Sequence, residues 1–116
     1  TLKKIDIVIC TALIPGKKAP TIIKDEMINN MQAGSVIYDL AASQGGNTAC
    51  TKVDEIVQKN GVRIMGETNI LNKLPTSASN LYAKNVYNFI INLYDKENKK
   101  IKINTDDEII EKTLIK

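Results

Sequence analysis

Short apolar runs broken by polar, glycine-bearing segments organise the first two thirds of the chain. Ile5 to Cys10 is mostly β-branched and apolar, as expected of a strand buried on both faces of a parallel sheet. The run ends at Pro15-Gly16. From Asp25, the apolar residues Met27, Ile28 and Met31 recur at near-helical spacing, and Gly34 stands where a helix C-terminal glycine is needed. Ser35 to Ala41 again reads as a strand and runs into the small-residue stretch Ala41 to Asn47. Lys52 to Asn60 predicts a helical turn or two, with Val53, Ile56 and Val57 on one face and Asn60-Gly61 closing it. Val62 to Gly66 completes a third buried-type strand.

The predicted order strand, helix, strand, helix, strand calls for parallel pairing through crossovers, one half of a doubly wound α/β sheet. A half-sheet leaves backbone groups unpaired along one edge, so strands from elsewhere are expected to cover it. After Pro75 the period changes. Leu81, Tyr82, Val86, Phe89, Ile90 and Leu93 fall at three- and four-residue intervals, which predicts a long helix over Ser77 to Tyr94. Phe89 is expected in its packed face. Lys96 to Lys102 reads as a charged surface turn, Ile101 to Asn104 as a short strand, and Asp106 to Glu108 as an acidic segment before the last apolar residues.

Composition narrows the function classes. The 116 residues carry 16 basic and 13 acidic side chains, a net charge of +3, with lysines scattered instead of gathered beside aromatics. That argues against a nucleic-acid surface. With no histidine and only Cys10 and Cys50, a zinc site is excluded, and two distant cysteines suit a reducing compartment better than a disulfide scaffold. The cytoplasm is the expected location. No apolar run reaches the roughly 20 residues that a bilayer span requires. The chain enters its first strand almost at once, which reads as a piece of a longer unit.

In an open parallel sheet, ligands bind beyond the carboxyl ends of the strands. Three such ends are candidates. Thr11 to Gly16 combines small residues with a sharp turn; it is equally an ordinary strand-to-helix connection. Asp39 to Asn47 offers Gly45-Gly46 for close approach, with Asp39 as either a functional carboxylate or an acceptor for backbone N–H groups. Glu67 to Asn69 offers hydrogen bonds to an amide or a sugar, or simply shapes a loop. There is no glycine-rich phosphate turn and no nucleophile with a base beside it. Any redox chemistry here must be a cofactor's.

Three stretches in this order, Asp6 to Pro20, Met31 to Asn47 and Gly66 to Asn85, resemble the NAD-binding domain shared by transhydrogenase alpha subunits and alanine dehydrogenases. The strings ALIPG-x-x-AP and DLAA-x-QGGN carry the likeness as a pair. Alanine dehydrogenases have an aspartate four residues after the position of Asp39, where this chain has Ser43, so the transhydrogenase branch is the better match. Leu71 replaces a frequent proline, and Val53-Asp54 a frequent Pro-Gly.

The resemblance implies the C-terminal half of a Rossmann-like NAD(H)-binding domain over residues 1–75, a long crossover helix over 76–95, and a tail over 96–116 that completes a first domain. It implies that Ala12 and Leu13 lie against the dinucleotide, that Leu40, Ala41, Ala42 and Ser43 border its nicotinamide side, and that Asn69 closes the cleft. No catalytic residue or metal ligand is implied within the chain. The implied activity is hydride transfer between NAD(H) and NADP(H) coupled to proton translocation. The implied partners are the N-terminal half of the alpha subunit, an NADP-binding component, a membrane component and a second copy in a homodimer, on the cytoplasmic side and peripheral to the inner membrane. The alternatives are an alanine dehydrogenase fragment, or a non-enzymatic binding module or remnant without the glycine turn.

Overall fold

The computed structural model describes residues 2–115, so Thr1 and Lys116, at the ends of the first and last predicted segments, lie outside the described residues. The chain divides into two compact units, Thr1–Lys73 and Leu74–Lys116.

The first unit is built on a four-stranded sheet. Its strands are β1 (Ile7–Cys10), β2 (Val36–Asp39), β3 (Ile56–Lys59) and β4 (Val62–Met65), ordered β1-β2-β4-β3. β1 pairs parallel to β2, and β2 parallel to β4. The short helix α1 (Asp25–Ile28) lies between β1 and β2 in sequence, and Gly34 leaves the following turn at φ 93°. Alternation along the strands sends Cys10, Ile37, Val62 and Ile64 to one face, where they meet Ile23, Ile28 and Met31 in a single apolar cluster. The other face carries Ile7, Ile9 and Ile56, all well exposed.

The α/β class, with a parallel core and a long helix after it, is the one expected. The helix expected over Lys52 to Asn60 is not formed. Its place is taken by β3, which pairs antiparallel with β4 in the register Lys59↔Val62. Asn60 and Gly61 both adopt positive φ, 49° and 80°, the left-handed pair of a two-residue hairpin turn whose twist matches that of the flanking strands. The spacing of Val53, Ile56 and Val57 fits a helix on paper. Over Ile56 to Lys59 the exposure alternates instead, with Val57 and Lys59 turned partly inward.

In the second unit, α2 spans Pro75–Asn92, two residues earlier than expected at each end because Pro75 occupies the first helical turn. A small hairpin follows, β5 (Tyr94–Asp95) with β6 (Lys100–Ile101). α3 (Glu108–Thr113) closes the unit and buries Ile110. The acidic segment has a structural use: Asp107 caps α3 by accepting hydrogen bonds from the N–H groups of Ile109 (2.9 Å) and Ile110 (3.2 Å).

Candidate functional site

Because β1, β2 and β4 are parallel, their carboxyl ends share one edge of the sheet. The register sets Cys10 beside Asp39, and Tyr38 beside Met65. The three expected tips therefore emerge side by side. At this edge Leu13 and Ser43 are exposed, Ala12 and Leu40 are half-buried, and Asn69 is exposed at the third tip. Ala41 and Ala42, in contrast, are fully enclosed.

Their enclosure follows from Asp39. This residue is fully buried, yet its carboxylate accepts from the N–H of Ala41 (3.0 Å), of Asn47 (2.6 Å) and of Thr48 (3.3 Å), and from the hydroxyl of Thr51 (2.5 Å). Of the two roles open to it, acceptor for backbone donors is the one it fills. A buried carboxylate without such partners would carry a large desolvation cost, and four donors offset it. The loop from Leu40 to Thr51 is thereby wound around one side chain, with a short 3-10 turn at Ala42–Gln44. Gly46 is required there: at φ 79°, a side chain would meet Thr51 at 2.6 Å and the Asp39 carboxylate at 2.9 Å. The close approach expected at the glycine pair is made by Asp39. Cys10, at the end of β1, is pushed up to about 11 by burial and then by the negative charge of Asp39. Its thiol stays protonated at neutral pH.

The third tip borders a cleft of about 330 Å³ lined by Asp54, Met65, Gly66, Glu67, Asn69 and Lys73 among others. Within it Glu67 pairs with Lys73 (2.7 Å) and accepts from the Tyr38 hydroxyl (2.5 Å). The lysine and then the phenol hold the Glu67 carboxyl below its ordinary value, and Glu67 in turn raises both Lys73 and Tyr38. Asp54 stands at φ 57°, where the frequent glycine of relatives costs nothing. Its carboxylate compensates by accepting from the Thr68 N–H (2.9 Å) and hydroxyl (2.6 Å), which ties the hairpin end to the β4 tip and lowers its own pKa.

A family model described as alanine dehydrogenase/PNT, C-terminal domain, matches residues 1–116. The chain belongs to that family. Within it, the chain is 45% identical over 114 residues to the first of the polypeptides that make up the NAD(P) transhydrogenase alpha subunit of Rhodospirillum rubrum, covering 98% of this chain and 30% of that protein. It is 33% identical over 99 residues to alanine dehydrogenase 1 of Staphylococcus aureus strain Mu50, covering 82% of this chain and 27% of that one. The crystal structure of transhydrogenase from Sinorhizobium meliloti superposes with a TM-score of 0.68 at 45% identity, over 76% of this chain and 26% of that one. The fold is thus the Rossmann-like half-sheet of the alanine dehydrogenase/PNT family. The chain spans less than a third of the length of each of these relatives.

A dinucleotide of the kind this family's name implies has a testable fit at the edge. The tips present small or flat apolar side chains, and the backbone N–H groups of Ala12 and Ala41 are already taken by Asn47 and Asp39. The surface they offer is one for van der Waals contact, suited to a planar ring, with Ser43 and Asn69 as the exposed polar groups. Ala41 and Ala42 underlie that surface. Residues that sequence reasoning passed over are Asn47, Thr48 and Thr51, which build the second tip, and Lys73, which lines the cleft. The QGGN string contained Asn47, but nothing in its spacing distinguishes a buried bridging amide from a loop asparagine.

Proposed function

We propose that this chain is part of the NAD(H)-binding component of a proton-translocating NAD(P) transhydrogenase and forms one wall of its dinucleotide cleft. The observation that carries the reading is the 45% identity to a transhydrogenase alpha subunit across 98% of the chain, against 33% to alanine dehydrogenase. The common edge of the three parallel strand tips supports it. Bound NAD(H) supplies the hydride. Ala12 and Leu13 pack against the dinucleotide, Leu40 and Ser43 border the nicotinamide with Ala41 and Ala42 holding that border in place, and Asn69 closes the cleft. NADP(H) is bound by a partner component, and protons cross in a membrane component. The chain sits on the cytoplasmic side, peripheral to the inner membrane through those partners. Among the described residues no helix is long and apolar enough to cross a membrane. The N-terminal half of the alpha subunit and a second copy of the assembly complete the partner set.

Ser43 supports the choice between the two branches, since a neutral hydroxyl at the exposed tip supplies no carboxylate for amino-acid chemistry. The test is a titration of NADH, followed by its fluorescence, into this chain alone and into its mixture with the N-terminal half of a transhydrogenase alpha subunit. Saturable binding is expected in the mixture, which should also reduce an NADP⁺ analogue once the NADP-binding component is added. The same mixture should not reduce pyruvate in the presence of ammonia. Pyruvate reduction would move the chain to the alanine dehydrogenase branch, and no binding in either sample would leave it a binding module or remnant.

A further inference from the structure

We infer that Asn47 is a positioning residue that fixes the gap between the β1 and β2 tips, and with it the width of the nicotinamide wall; this rests on the reading of the edge as a dinucleotide cleft. β1 loses its strand partner at Cys10, whose carbonyl accepts the last ladder bond from the Leu40 N–H (2.9 Å). Two residues on, Ala12 has a free N–H and C=O, and both are met by one side chain. The Asn47 carbonyl oxygen accepts from the Ala12 N–H (2.9 Å), and its amide nitrogen donates to the Ala12 C=O (2.9 Å). This donor-and-acceptor pair reproduces what a neighbouring strand provides, so a side chain prolongs β1 into the site. The same nitrogen donates to the Pro20 C=O (2.9 Å), anchoring the chain where it returns from the tip.

Asn47 is itself held rigidly. It is fully buried. Its backbone N–H donates to Asp39 at the β2 end (2.6 Å), and its C=O accepts from Ile22 (2.8 Å) and Ile23 (2.9 Å), beside the bridge between Ile23 and Thr48. An amide can satisfy the Ala12 N–H, the Ala12 C=O and the Pro20 C=O together because it has both an acceptor and two donor hydrogens. Aspartate lacks the donors and serine lacks the reach. Through Asn47, therefore, Ala12 and Leu13 on one tip are set against Leu40 and Ser43 on the other, without Asn47 touching the ligand.

The experiment uses the assembly of this chain with the remainder of the alpha subunit, and compares NADH with ADP, which lacks the nicotinamide half. In Asn47→Asp and Asn47→Ser, the dissociation constant for NADH is expected to rise about tenfold, equivalent to ~1.4 kcal/mol, while that for ADP changes by less than about twofold. A purely structural asparagine would weaken both ligands alike, or lower the unfolding midpoint and weaken neither; either result overturns the inference. Should both variants fail to fold, amide exchange on the unaltered assembly decides. The Ala12 N–H is expected to be protected before NADH is added, and exchange that becomes slow only with NADH would overturn the assignment. Wild-type assembly that binds ADP but not NADH sinks the cleft reading and this inference with it, whereas selective loss in neither variant sinks the inference alone.

Discussion

At the scale of single residues, the carboxyl edge is governed by what is buried beneath it. Cys10 gives the most direct titration. Its thiol is pushed from 9.0 to about 11 in the folded chain, mainly by burial. Below 9.0, the thiol is protonated in both states and favours neither. Between 9.0 and 11 the unfolded chain releases the proton while the native chain retains it, so rising pH favours unfolding. Denaturant midpoints measured from pH 8 upward should therefore fall more steeply for the wild type than for Cys10→Ala, which carries a constant cavity penalty but no thiol. Parallel pH profiles would show that the thiol is solvated. Ala12 tests the surface above. Its side chain is half-buried and its backbone is held by Asn47, so Ala12→Trp should leave the unfolding midpoint nearly unchanged while weakening NADH binding in the assembled protein at least about tenfold. Unaltered affinity would remove Ala12 from the wall.

At the scale of elements, the β3-β4 hairpin bears the consequences of close packing. Gly66 follows β4, and a side chain there would meet the Lys52 carbonyl oxygen at 2.1 Å. Its N–H donates to Glu55 (3.1 Å) and its C=O accepts from Asp54 (2.7 Å), so the hairpin end cannot shift to make room without losing both bonds. Gly66→Ala is expected to cost about 3 kcal/mol, read from chemical denaturation; a loss near zero would mean the Lys52 turn yields freely. Phe89 behaves differently from its helical pattern. The periodicity of α2 put it in a packed face, where truncation costs roughly 3–5 kcal/mol. It is 37% exposed, and α2 has no buried residue among those described. Phe89→Ala in this chain should therefore cost less than about 2 kcal/mol, and a core-sized loss would show that the face is packed in solution.

The contrast between these elements explains what could be read in advance. β1, β2 and β4 were legible because a strand covered on one face and paired on both sides needs consecutive apolar residues, and Ile7 to Cys10, Val36 to Asp39 and Val62 to Met65 supply them. β3 was not, since Val53, Ile56 and Val57 also satisfy a helical period. The decisive signal was local: Asn60-Gly61 as the left-handed pair of a hairpin, not the end of a helix. The edge where the tips gather followed from parallel pairing alone. Its internal wiring did not, because Asp39, Asn47 and Thr51 are separated in sequence and only the wound loop shows that one carboxylate unites them.

At the scale of the whole molecule, the first unit has an unfinished sheet, and β1 is where completion can be measured. β1 pairs with β2 alone, at the end of the strand order. The bonds into β2 use the carbonyls of Asp6 (2.8 Å) and Cys10 (2.9 Å), so alternation along the strand turns the N–H and C=O groups of Ile7 and Ile9 to the outer edge. Their side chains are 67% and 65% exposed, which leaves both an unpaired edge and an apolar surface at the same two residues. Such an edge either recruits a strand or associates indiscriminately. In dilute solution of this chain, the Ile7 and Ile9 amides should exchange fast while Val8, directed at β2, exchanges slowly. Mixing with the N-terminal half of a transhydrogenase alpha subunit should slow Ile7 and Ile9 and raise the unfolding midpoint, because a strand added at that edge pairs their backbone and covers their side chains together. Slow exchange at Ile7 and Ile9 in the monomeric chain, established by sedimentation, would show that the edge is closed from within. Exchange unchanged by mixing would show that the added half does not pair with β1, and the proposed cleft would then lack its opposite wall.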